Sequence, residues 1–145
     1  MLWNHVKKHQ KENYKKMILV DSNYMIALMN NKEKNHKRAV ELASRVDNDE
    51  KIMPVLMLSE AVTSIGSRKK GKEAKLLYDT LIDNFEIYFP TFNEIDTAMQ
   101  CVLKYDGTLA LADCLAILIM KKRGITEIVS FDDDFDKVEG IVRIH

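Results

Sequence analysis

Cysteine is scarce in this chain, histidine is poorly placed for chemistry, and neither sign of charge is in surplus. Cys101 and Cys114 are the only cysteines among 145 residues, with no CxxC spacing and no paired histidines beside them. That argues against a disulfide framework and against a zinc site, and it fits a reducing, cytoplasmic setting. The four histidines, His5, His9, His36 and His145, fall near the start, in a polar stretch and at the last position, so a histidine acid–base pair is not supported. Lysine plus arginine and aspartate plus glutamate both number 22, and the strong basic surplus that would by itself announce a nucleic-acid binder is missing. Long hydrophobic runs are missing too, since no stretch approaches about 18 uncharged apolar residues. The opening segment MLWNHVKKHQKENYKK is basic but has no apolar h-region. Neither a membrane span nor an ordinary export signal is expected.

What the chain does have is enough apolar material for one core, 46% of its residues, at the size of one compact domain. Its charge is unevenly spread. Residues 1–16 hold five lysines (Lys7, Lys8, Lys11, Lys15, Lys16) against Glu12, which leaves the rest with a net charge near −4. We therefore divide the chain into a basic N-terminal extension, residues 1–16, and a domain, residues 17–145. The extension reads as a tail, an extra helix, or sequence upstream of a start at Met17. No internal repeat and no low-complexity segment is present.

Short β-prone runs alternate with helical patterns. MILVD (17–21) reads as a strand covered on both faces, after which Ser22 or Asn23 caps a helix carrying Tyr24, Met25, Ala27 and Leu28. A second helix carries Ala39, Val40, Leu42, Ala43 and Val46. KIMPV is a strand stopped or bent at Pro54, and LMLSEAVTSIG a helix ending at Gly66. A further amphipathic helix, the strand EIYFP, a helix from Asn93 to about Tyr105 and an Asp106–Gly107 turn follow. Thr108 can cap the apolar helix LALADCLAILIMKKRG, with EIVSF and GIVRI as the last strands. The alternation predicts an α/β fold with a central parallel sheet flanked by helices.

Four acids interrupt apolar surroundings at strand ends and helix starts: Asp21 after MILV, Glu60 after VLMLS, Asp113 within LALADCLAILIM, and Asp132 after EIVSF. Carboxylates beside buried surface are costly unless a positive partner is present, so their convergence would call for a bound cation. In a parallel sheet, ligands bind outside the carboxyl ends of the strands where strand order reverses, and all four acids can face that crevice. Oxygen-only donors suit Mg2+ or Mn2+, ions that keep several waters and bridge to phosphate. Such ions assist phosphodiester hydrolysis without a histidine or serine nucleophile. On this reading Asp21, Asp113 and Asp132 hold metal directly or through water, and Glu60 orients the attacking water or holds a second ion.

Blander roles compete at each position. Asp21 could be a helix cap, Glu60 a solvated first-turn glutamate, and most of the DDDFD run an ordinary acidic turn. Cys114 reads as a small core residue rather than a nucleophile. Arg68, Lys69, Lys70 and Lys72, with Lys121, Lys122 and Arg123, could contact phosphates, though the last three also suit a helix C-terminus.

The segments ILVDSNYMIALM, LMLSEAVTSI, LALADCLAILIMKKRG and IVSFDDDFDKVEGIVRI together resemble the PIN-domain family, most closely its short VapC-type toxin ribonucleases. The resemblance spans nearly all of residues 17–145 and rests on the order Asp, Glu, Asp, Asp, no single motif being decisive. It implies a single PIN-like domain whose metal-binding acids are Asp21, Glu60, Asp113 and Asp132. Ser130 takes the place of a small hydroxyl residue near the metal, and Asp134 is placed to contribute through water. It further implies a Mg2+- or Mn2+-dependent ribonuclease acting on RNA, often a homodimer and often held inactive by a small antitoxin. A non-catalytic relative serving as a nucleic-acid or protein interaction module is the alternative. An aspartyl-phosphate enzyme at Asp21 is a third, lacking the companion DxD and lysine. Dimer or antitoxin contacts would need exposed apolar faces, for which 39–46 and 76–82 are candidates.

Overall fold

The hydrophobic runs set out above assemble into one five-stranded sheet in the computed structural model, which describes residues 16–145. Residues 1–15, and with them the reading of the basic extension as a tail or helix, lie outside the described residues. The strands are β1 (Met17–Val20), β2 (Glu50–Pro54), β3 (Glu86–Tyr88), β4 (Glu127–Val129) and β5 (Val142–Ile144). They are all parallel, in the order β3-β2-β1-β4-β5. Leu19 is matched with Ile52 on one side and Ile128 on the other, so the central strand is apolar along its length because neither face meets water.

Six helices connect the strands: α1 (Ser22–Met29), α2 (His36–Asp47), α3 (Val55–Arg68), α4 (Gly71–Asn84), α5 (Phe92–Lys104) and α6 (Leu111–Arg123). A 3-10 turn, Asp133–Lys137, lies between β4 and β5. The chain steps outward from β1 to β2 to β3, then returns by α5 and α6 to place β4 against the other side of β1. Right-handed crossovers put the outward and returning helices on opposite faces. Accordingly α1 packs on α2 and α3, and α3 on α4, whereas α5 packs on α6. The strand order thus reverses between β1 and β4, and that reversal positions the site described below.

Three residues assigned to helix ends stand differently from the sequence reading. Asp21, rather than Ser22 or Asn23, occupies the cap position of α1. Gly66 lies inside α3 rather than at its end. A Cβ there would stand 3.3 Å from the Ala74 Cβ of α4, so glycine serves close helix packing. Ala110, not Thr108, precedes α6: the Asp113 carboxylate accepts the Ala110 N–H at 3.1 Å, while the Thr108 hydroxyl donates to the Tyr105 carbonyl at 2.7 Å. The apolar side chains of α2 also differ from expectation, since Ala39, Leu42 and Val46 are buried and only Val40 is exposed. Leu76, Tyr78 and Ile82 of α4 are exposed as a docking face requires. The sequence reading placed the helix α5 but did not count it among the candidate docking faces; on it Phe92 is 81% and Leu103 75% exposed.

Candidate active site

At the carboxyl edge of the sheet, each acid is delivered by the element that precedes or contains it. β1 ends at Val20, so Asp21 is the first residue beyond the sheet, and β4 hands over to Ser130 and Asp132 in the same way. Pro54 leads from β2 into α3 with no intervening loop, which keeps Glu60 in the second turn near that edge. Asp113 stands in the first turn of α6. The four acids line one crevice of about 350 Å³, together with Ser22, Asn23, Gly107, Thr108 and Ala110.

The acids differ in their surroundings. Asp21 is only 4% exposed. Although it occupies a cap position, it makes no capping bond. Its carboxylate instead takes the hydroxyls of Ser130 at 2.7 Å and Ser22 at 3.2 Å. Burial pushes its pKa up to about 6 in spite of those donors, with the nearby Glu60 charge adding to the rise. Asp113 is pushed up to about 7, first by burial and next by the charge of Asp21. The Ala110 N–H bond works in the opposite direction and is outweighed. Asp132 accepts the Asp134 N–H at 2.9 Å and so caps the 3-10 turn. Glu60 lies exposed at the rim.

Among the described residues, no lysine or arginine forms an ion pair with any of these four carboxylates. Two acids whose pKa values rise because burial and like charge oppose ionisation, in an all-oxygen crevice, fit a hard divalent cation. Asp134 does not line this crevice. Its carboxylate can approach those of Asp132 and Asp133 to within 4.8 Å, but Lys137 bonds to it at 2.6 Å. Among the described residues that turn is the one place where three carboxylates come within this distance, whereas the crevice acids come from four separate elements and two of them, Asp21 and Asp113, are poorly solvated. The described histidines stand elsewhere, His36 bonding the Ala27 carbonyl at 2.7 Å.

One residue escaped the sequence reading. Asn23 reaches from α1 to Ser130 at 3.2 Å and to the Phe131 N–H at 3.1 Å. A polar residue two places beyond a strand-ending aspartate was the signal, and its interpretation as a helix cap concealed the long-range contact.

The fold and crevice together define a doubly wound α/β domain with an acid-rich pocket at its topological switch point. The chain belongs to the PIN-domain family, whose PIN domain pattern matches residues 18–141. A VapC ribonuclease of Mycobacterium bovis and ribonuclease VapC13 of Mycobacterium tuberculosis are each 28% identical to it over 133 residues, covering 88% of this chain and 99% of theirs. Among solved structures, it is similar to VapC20 of Mycobacterium tuberculosis, described as a sarcin-ricin loop cleaving toxin. That match has a TM-score of 0.77 at 22% identity, covering 88% of this chain and 98% of the other. VapBC2 of Rickettsia felis, solved bound to a DNA fragment from its promoter, superposes with a TM-score of 0.63 at 12% identity, covering 88% and 97%. Likeness at these identities speaks to the fold. Among the described residues, no helix is long and apolar enough to cross a membrane.

Proposed function

We propose that this protein is a Mg2+- or Mn2+-dependent endoribonuclease that hydrolyses RNA phosphodiester bonds, acting as the toxin of a toxin–antitoxin pair in the cytoplasm. One observation carries the reading: Asp21, Glu60, Asp113 and Asp132, delivered by four different elements, line a single crevice without a basic partner among the described residues. The names of its relatives support it, two being called ribonucleases and one a toxin–antitoxin complex, from Klebsiella pneumoniae.

Asp21, Asp113 and Asp132 would hold the cation, directly or through water. When bound, the ion would neutralise charge developing on the phosphate and make a water more nucleophilic. Glu60, exposed at the rim, would orient that water or hold a second ion. Ser130 fixes Asp21 by hydrogen bonding. Asp134 contributes through the bond its N–H makes to Asp132, its own carboxylate remaining with Lys137. Homodimer and antitoxin contacts would use exposed apolar side chains, those of α5 and α4 being the largest such groups.

The experiment is cleavage of a pool of structured RNAs by the purified protein with Mn2+, Mg2+ or EDTA, beside Asp113→Asn. Cleavage that requires metal and is lost in the variant is the expected result. Metal binding without cleavage of any RNA would instead favour a non-catalytic binding module.

A further inference from the structure

We propose that Asn23 is a positioning residue that acts through the Ser130 hydroxyl to hold the Asp21 carboxylate in one orientation; the inference deepens the metal-site reading above and rests on it. The amide of Asn23 can be oriented from its partners. Its Oδ1 accepts the Phe131 N–H at 3.1 Å, a bond that only the carbonyl oxygen can make, so Nδ2 is the end facing Ser130 Oγ at 3.2 Å. Ser130 Oγ also accepts the Asp132 N–H at 3.0 Å. A hydroxyl has two lone pairs and one proton. With both lone pairs taken by donors, the proton of Ser130 is directed to Asp21 Oδ2, 2.7 Å away.

Ser130 and Asp21 are both buried, so water does not readily substitute for a missing partner. The chain of donors from amide to hydroxyl to carboxylate polarises in one direction, each bond strengthening the next. The same side chain also ties the segment after β4, which carries Asp132, to the start of α1, which directly follows Asp21. Asn23 thereby links the two acids that flank the switch point.

The test is Mn2+ titration by calorimetry of the full chain as wild type, Asn23→Ala, Ser130→Ala and the double variant. Each single change is expected to weaken Mn2+ binding about tenfold, as loss of a group orienting a metal ligand typically does. The double variant is expected to bind no more weakly than the poorer single variant, because both changes break the same relay. Multiplicative losses, or unchanged affinity with only a lower melting temperature, would overturn the proposal and reduce Asn23 to a loop tie. If Asn23→Ala does not fold, Asn23→Asp keeps the bond to Phe131 but offers the Ser130 proton a second acceptor. Weaker Mn2+ binding in that variant, despite its added negative charge, supports the relay, whereas equal or tighter binding defeats it. Wild-type protein that binds no Mn2+ removes the metal-site reading and this inference together; wild type that binds, with variants unaltered, removes this inference alone.

Discussion

Asp113 shows how strongly tertiary surroundings can outweigh local ones. In the first turn of α6 it has the favourable end of the helix dipole and the Ala110 N–H, both of which suit an ionised carboxylate. Burial and the neighbouring Asp21 charge nevertheless push it up to about 7 from an ordinary value of 3.8. A carboxyl raised on folding binds its proton more tightly in the folded state. Its contribution to stability is therefore present below the unfolded value and is lost as pH rises from about 4 through about 7. Asp113→Asn keeps an oxygen for Ala110 and removes the charge. In EDTA at pH 8 the variant is expected to melt above the wild type, by roughly 5 °C, with the gap closing toward pH 4. Its RNA cleavage with Mn2+ is expected to fall by about 100-fold or more. Melting curves across pH would check the first part, and a variant that melts below wild type at pH 8 would refute the account of a strained, repelling site.

At the scale of elements, α5 is held by a sequence-local device that also reaches its neighbours. Thr91 accepts the Glu94 N–H at 3.2 Å, and its own N–H donates to Glu94 Oε1 at 3.0 Å, a reciprocal cap. The other Glu94 oxygen accepts the Tyr88 hydroxyl at 2.5 Å and Lys122 at 2.9 Å. Those donors, the Thr91 N–H foremost, hold its carboxyl far below the usual range. One side chain thus joins the end of β3 to α5 and α6. Thr91→Ala is expected to cost about 1 kcal/mol in urea unfolding. Glu94→Ala should cost more, because it strands partners on two other elements. Neither should alter Mn2+ affinity, as α5 does not line the crevice; a change in affinity would mean that α5 helps set the position of α6.

For the whole molecule, the reversal of strand order at β1 brings together acids separated by more than a hundred positions. Without a cation that assembly keeps like charges close, a repulsion that a bound cation would offset. Millimolar Mg2+ or Mn2+ is therefore expected to raise the melting temperature, more at pH 8 than at pH 5, where the raised carboxyls of Asp21 and Asp113 hold more of their protons. An unchanged melting temperature at both pH values would argue against the metal site. Phe92, Met99 and Leu103 form an exposed apolar group on α5. If the protein self-associates there, Leu103→Glu is expected to convert a dimer to a monomer in light scattering. A dimer that survives would direct attention to Leu76, Tyr78 and Ile82 of α4.

The amino-acid sequence by itself determined the element types and the parallel α/β class, because apolar runs bounded by turns and helical spacing depend on near neighbours. It also singled out Asp21, Glu60, Asp113 and Asp132, since a carboxylate amid apolar residues is anomalous wherever the chain goes. The relation between distant residues was decided by tertiary structure. Asn23 and Ser130, 107 positions apart, meet only because β4 returns beside β1. Ala39, Leu42 and Val46 are core, while Phe92 and Leu103 face solvent, although all lie in amphipathic patterns. Periodicity marks a helix face as apolar; what that face meets depends on how the whole chain closes.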